Sequence, residues 1–171
     1  DCAIHVGAQP DPSTISVLLA EVPRIVVASP GLLQHYPPAH KPEDLASLPW
    51  VALSTFYQQE VVLKRTANGE SRAFAIAPRL STDSLYAVRE TVLAGLGVGI
   101  VSAWIVASDL AQGRLVQVLP QWQAAPLPVW LVYPYSRYYP ARLRKFLDLM
   151  REIMPGLMGM QPPEKAKKSR S

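Results

Sequence analysis

Short apolar runs alternate with amphipathic stretches along the chain, and this alternation predicts strands separated by helices. The apolar runs that predict strands lie at residues 2–6, 24–28, 50–53, 98–101, 114–119 and 128–133. Apolar residues recur at helical spacing after residue 84, over residues 103–111 and over residues 141–154. This order of elements predicts an α/β fold with mostly parallel strand pairing.

Turn-forming residues mark where several of these elements begin and end. Ser29 followed by Pro30 predicts one helix start, and the Ser-Thr-Asp-Ser run at residues 81–84 predicts another. Asn68 followed by Gly69 predicts a hairpin between two extended runs. We also predict that the first strand, residues 2–6, is buried. A buried strand is unexpected at a chain terminus, so further units of the domain are expected before Asp1.

The net charge of the chain changes this picture little, because most of it lies in the last residues. The net charge of +4 suggests a nucleic-acid partner, but residues 161–171 carry +3 of it and residues 1–160 only +1. A DNA-binding domain carries its basic excess in the folded body, so this body is not expected to read DNA. The single Cys2 forms no internal disulfide, which fits a reducing compartment. No apolar run reaches the length of a membrane span.

Motifs for catalysis, metals and nucleotides are poorly represented. The glycines of residues 95–99 follow a predicted helix and precede a strand, whereas a nucleotide loop needs the reverse order. The three histidines, His5, His35 and His40, have no ligand spacing, and no Gly-x-Ser-x-Gly nucleophile turn exists. We therefore expect no metal, no cofactor and no enzymatic activity.

The two predicted helix starts are the best candidates for ligand chemistry. Free N–H groups and the helix dipole can hold a carboxylate at a helix N-terminus without any lysine or arginine. For Ser29, we favour the role of a simple helix cap. For Ser81 and Thr82, we favour contact with a ligand, because ligand sites of α/β proteins lie at the carboxyl ends of strands. The negative charge of Asp83 argues against an anionic ligand here unless Asp83 points away as the cap of the helix. Phe56 and its neighbour Tyr57 could equally line the ligand cleft or simply pack in the core.

Five segments in the right order resemble the effector-binding domain of LysR-type transcriptional regulators. Residues 1–7 (DCAIHVG) are similar to the family's D-x-A-I-R-x-G strand, and residues 24–33 (RIVVASPGLL) to the strand and turn that follow. The other segments are residues 42–45 (PEDL), 81–120 and 128–149. His5 stands where arginine is usual, and Gly31 where alanine is usual.

The resemblance implies a type II periplasmic-binding-protein-like fold with two α/β lobes, the first of them incomplete. Lobe one would hold residues 1–7 and 128–154, and lobe two residues 24–120. Residues 8–23 and 121–127 would cross between the lobes, and residues 155–171 would form a disordered basic tail. The family's helix-turn-helix would precede Asp1.

The resemblance also implies that the chain senses a small carboxylate effector in a cleft between the lobes. The residues expected to bind it are Ser81, Thr82, Asp83, Gly7, His5, Ser29 and Phe56. The intact protein would be a cytoplasmic homodimer or homotetramer that contacts DNA only through the helix-turn-helix, with no membrane partner. Two alternatives remain. A transporter's solute-binding protein of the same fold would carry a signal peptide, and an enzyme would turn over a substrate.

Overall fold

The structure is a computed structural model that describes residues 2–8, 11–157 and 159–163. The chain divides into two compact units. The first unit comprises Asp1–Val22 and Pro126–Ser171, and the second comprises Pro23–Ala125. The predicted lobe two, residues 24–120, lies inside the second unit.

The elements follow one another in the order strand, strand, helix, then a strand-rich middle and a final helix. They are β1 (Ala3–Val6), β2 (Thr14–Ala28), α1 (Pro30–Leu33), a 3-10 helix (Pro42–Ser47), β3 (Trp50–Leu53), β4 (Glu60–Arg65), β5 (Ser71–Ala75), β6 (Pro78–Thr82), α2 (Leu85–Leu93), β7 (Gly99–Ser102), α3 (Ala103–Ala111), β8 (Val116–Gln117), β9 (Trp122–Pro134), α4 (Ala141–Ile153) and a second 3-10 helix (Met154–Gly156). The α/β class and the helix over residues 103–111 are as predicted.

Strand pairing is mostly antiparallel, so the prediction of mostly parallel pairing is wrong. β3 pairs in parallel with β6, and a parallel bridge joins Trp50 to Val98 just before β7. The other named pairings are antiparallel, including β2 with β7, β1 with β9 and β4 with β5. Parallel pairing requires a long crossover. Here β4 and β5 form the hairpin predicted at Asn68-Gly69, and β2 and β9 are long strands that run through both units.

The first strand is exposed, so the prediction that it is buried is also wrong for this chain. β1 pairs with β9, and the side chains of Ile4 and Val6 are 47% and 48% exposed. Among the described residues, nothing covers the apolar face that the sequence pattern assigned to a core. Pairing alone therefore holds β1 in place.

Each unit has its own apolar core. In the second unit it forms around Trp50, whose Nε1 donates to Leu45 O at 2.8 Å. In the first unit it forms where the predicted amphipathic helix α4 packs Leu147 and Met150 against β2 and β9.

The structure describes residues 155–157 and 159–163 of the segment that was predicted to be a tail. The second 3-10 helix covers part of them, and Gln161 exchanges two backbone hydrogen bonds with Glu21, each 2.9 Å long. The basic residues of the tail, from 164 onward, lie outside the described residues. No helix within the described ranges is long and apolar enough to cross a membrane.

Candidate functional site

Two polar turns meet where the parallel strands β3 and β6 end. Leu53 pairs with Thr82 at the end of the two strands, and Ser54 N donates to Thr82 O at 2.9 Å. Ligands of α/β proteins bind outside the carboxyl ends of strands. This edge of the second unit therefore has the position at which ligand sites of α/β proteins occur.

The turn after β3 separates two adjacent aromatic residues. Phe56 N and Tyr57 N both donate to Leu53 O at 2.9 Å, which closes a tight turn. The Phe56 ring is left 49% exposed, whereas Tyr57 is 7% exposed and belongs to the core. Phe56 is thus the one of the pair that is free to form a wall, and it lines an open groove of about 430 Å³.

The turn after β6 carries Ser81, Thr82 and Asp83. The N-cap of α2 is Ser84, whose Oγ accepts from Ala87 N at 3.3 Å, so none of the three predicted contact residues caps the helix. Thr82 Oγ1 accepts from Ser84 N at 3.2 Å. Its hydroxyl hydrogen, like that of Ser81, meets no acceptor among the described residues and is free to donate to a ligand.

The surroundings of this second turn leave room for a ligand. Ser81 lines an open groove of about 630 Å³ together with Gln58, Gln59 and Glu60. Asp83 is exposed. The first amides of α2 have no acceptor within the helix, because the first four N–H groups of any helix lack one.

Ser29 does not lie with the other candidates of the second unit. It follows β2, which runs antiparallel to β7, so it lies at the end opposite to the Ser54 and Thr82 turns. Its Oγ accepts from Leu32 N at 3.3 Å, and the side chain is buried. This position suits a helix cap.

His5 and Gly7 belong to the first unit and take part in local contacts there. His5 Nε2 lies 3.0 Å from Ala8 O. Gly7 N donates to Pro128 O at 2.9 Å, and Gly7 O accepts from Trp130 Nε1 at 3.1 Å. The φ angle of Gly7, 118°, is one that residues with a Cβ rarely adopt. These contacts hold the end of β1 on β9.

Sequence reasoning missed two charged residues of the second unit, Arg24 and Asp109. Arg24 pairs with Ser102 at the carboxyl end of β7 and therefore lies at the same edge as the two polar turns. Its guanidinium lies 4.7 Å from the centre of the Phe56 ring. The signal that could have found Arg24 is its charge, directly before the apolar run of residues 25–28.

Asp109 is a structural group. Its side chain is fully buried, and it accepts bonds of 2.7 and 2.9 Å from Arg89 and one of 2.6 Å from Arg114. Burial raises the pKa of this carboxyl, but the hydrogen bonds and charges of Arg89 and Arg114 outweigh burial and hold the pKa below its usual value. The cluster ties α2, α3 and the segment after α3 together.

The glycine-rich segment closes a helix and packs tightly. Gly95 ends α2 with φ 76°, and a Cβ on Gly97 would lie 2.8 Å from Pro49 O. This is the helix stop and tight turn that the order of elements predicted. The described part of the chain contains no cluster of three or more His, Cys, Asp or Glu residues able to hold a metal.

Comparison with known proteins identifies the family. The LysR substrate binding domain family matches residues 1–155, and the chain belongs to this family. It is 33% identical over 155 residues to the HTH-type transcriptional regulator PtxR of Pseudomonas aeruginosa, covering 89% of this chain and 48% of that protein. It is 28% identical over 152 residues to the HTH-type transcriptional activator AaeR of Escherichia coli, covering 89% and 49%. The chain thus spans about half the length of the curated relatives it matches.

Comparison with solved structures also finds LysR-type regulators. The full-length virulence activator AphB of Vibrio cholerae superposes with a TM-score of 0.72 at 27% identity, covering 89% of this chain and 51% of that one. The regulatory domain of CrgA from Neisseria meningitidis gives 0.66 at 26% identity, covering 89% and 74%. The type II periplasmic-binding-protein-like fold class is thereby confirmed. These four relatives are transcriptional regulators.

Proposed function

We propose that this chain senses a small carboxylate metabolite and that the carboxyl edge of β3 and β6 binds it. The observation that carries the proposal is the meeting of two polar turns, joined by the hydrogen bond from Ser54 N to Thr82 O, at the start of α2. The Ser81 and Thr82 hydroxyls and the first amides of α2 are hydrogen-bond donors that lie at or next to this turn. Such a set suits an anion.

In the whole regulator, the bound metabolite would act by favouring one of two arrangements of the protein. Only a difference in affinity for the two arrangements lets a ligand shift their populations. We propose that the whole protein acts in the cytoplasm as a homodimer or homotetramer, and that a helix-turn-helix outside this chain binds the operator.

The Thr82→Ala substitution tests the site. A panel of benzoate, propionate and succinate is first titrated into the wild-type chain by calorimetry. A charge-assisted hydrogen bond contributes roughly 1.5–3 kcal/mol, so Thr82→Ala should weaken the best-binding carboxylate by about 10- to 100-fold.

Ser84→Ala is the matched control, because Ser84 caps α2 through Ala87 N. It should lower the free energy of unfolding and leave the affinity nearly unchanged. Binding of no carboxylate in the panel would overturn the proposed function. Unchanged affinity in Thr82→Ala would remove Thr82 from the site.

A further inference from the structure

Arg24 is a partly buried cation without an acidic partner in the described part of the chain. Its Nε donates to Ala125 O at 2.6 Å, and its Nη1 is buried with no hydrogen-bond partner among the described residues. The rings of Phe56 and Tyr57 lie over the guanidinium, with centres 4.7 and 5.4 Å away. A partly buried charge that has only a carbonyl and two ring faces beside it is incompletely compensated, since charges taken out of water are normally paired.

Tyr57 contributes a second buried donor at the same place. Its hydroxyl is buried and has no partner within the described residues, although the residue is only 7% exposed. Burial raises the pKa of Tyr57 to about 12, against the opposing effect of the Arg24 charge. The phenol is therefore neutral near pH 7 and able to donate. Two buried donors from neighbouring side chains both lack an acceptor.

Phe56 separates these donors from open space. Its ring lies over the Arg24 guanidinium, yet it is 49% exposed and lines the groove of about 430 Å³. Rotation of one half-exposed side chain would open the guanidinium to that groove. The other lining residues are Ser54, Thr55, Gln58, Gln59 and Glu60.

The charges around the groove orient an anionic ligand. Glu60 disfavours an anion at its own position, and Arg24 favours one beneath Phe56. The neutral polar side chains of Ser54 and Gln58 can bond the uncharged remainder of the molecule. A carboxylate fits the guanidinium particularly well, because the planar fork can donate two parallel hydrogen bonds.

We propose that Arg24 and Tyr57 form the carboxylate-recognising pair of the effector site, and that Phe56 is its movable cover. This inference rests on the proposed sensing of a small carboxylate, and Arg24 supplies the full positive charge that the turn at residues 81–83 lacks. The ligand class becomes more specific: a carboxylate with a polar or flat body that extends along the groove.

The test compares each carboxylate of the panel with its primary amide in the wild-type chain and in three variants. The Arg24 Nε–H signal should shift saturably in NMR spectra with the carboxylate and not with the amide. Arg24→Lys keeps the charge and loses the fork, and should weaken binding by about 10-fold. Arg24→Gln should weaken it by about 100-fold and Tyr57→Phe by about 10-fold.

Phe56→Ala removes the cover and should accelerate association. Tyr57→Phe keeps the ring and its packing, so it tests the pair even if Arg24→Gln fails to fold. Equal affinity in the wild type, Arg24→Lys and Tyr57→Phe, together with lost affinity in Thr82→Ala, would overturn this inference and leave the proposed function standing. Absence of carboxylate binding in the wild type would overturn both.

Discussion

The two units of this molecule bury their side chains to different extents. The core of the second unit has 26 buried members, and that of the first unit has nine, among the residues that the structure describes. The first unit also leaves apolar side chains of β1 and α4 exposed, including Ile4 at 47% and Leu149 at 50%. Local stability follows buried apolar contact, so the second unit should be the more rigid one.

The proposed ligand site lies on the unit with the larger buried core. The Ser54 and Thr82 turns follow β3 and β6, and Val51 and Ala52 of β3 are 1% exposed. Binding groups need a rigid support, because small displacements weaken hydrogen bonds to a ligand. The comparison teaches that the edge proposed to bind the ligand can be well formed although the other unit leaves a strand uncovered.

The largest expected loss of stability comes from breaking a buried ion pair of the second unit, and it can be compared with the loss from breaking an exposed ion pair of the first unit. Arg89→Met leaves the buried Asp109 with Arg114, which is half exposed, as its remaining charge partner. We expect it to lower the free energy of unfolding by about 3 kcal/mol. Urea unfolding followed by tryptophan fluorescence measures this loss.

Arg151→Met on α4 is the matched control for this substitution. Arg151 and Asp148 are both mostly exposed and lie 3.9 Å apart, so the loss should stay below about 0.5 kcal/mol. The lowered pKa of Asp109 adds a pH signature. Its stabilisation is present above the usual carboxyl pKa and is lost as the pH falls through the lowered one. Similar losses in the two arginine variants would contradict the comparison.

Hydrogen exchange tests the same difference without substitution. Amides of β7, whose residues are all buried, should exchange on the order of 100-fold more slowly than those of β1, whose residues are all exposed. Mass spectrometry of peptides from the intact chain resolves both strands. Equal protection would mean that β1 is stabilised as strongly as the core of the second unit.

The sequence predicted the positions of helices and strands better than it predicted which way the strands pair. The apolar spacing located α3 and α4, and Asn68-Gly69 located the hairpin, because these signals are local. Pairing direction was missed because residues 8–23 were predicted to be a crossover, whereas β2 begins at Thr14 and continues to Ala28. Ser16, Glu21 and Pro23 interrupt the apolar residues of β2, which hides one long strand from an apolar pattern.

The same limit applies to the candidate site. Ser81, Thr82 and Phe56 could be proposed from the sequence because turns after strands are recognisable in it. The cap was placed correctly only as a group of candidates, since Ser84 rather than Asp83 accepts from the helix. The environment of Arg24 depends on Phe56 and on Ala125, which lies 101 residues away, and no local pattern encodes such a contact.

The smallest expected changes in the free energy of unfolding come from substitutions at the starts of two helices, α2 and α4. Ser84 caps α2 with its side chain, whereas Pro140 precedes α4 without any side-chain cap bond. Ser84→Ala should therefore lower the free energy of unfolding by about 1 kcal/mol. Pro140→Ser should change it by no more than a few tenths of a kcal/mol, because a new cap bond offsets the lost rigidity of proline. Thermal unfolding of both variants beside the wild type measures the difference. A larger loss in Pro140→Ser than in Ser84→Ala would show that the start of α4 is better stabilised than its missing cap bond implies, and that the first unit is less dependent on its small core than the burial pattern predicts.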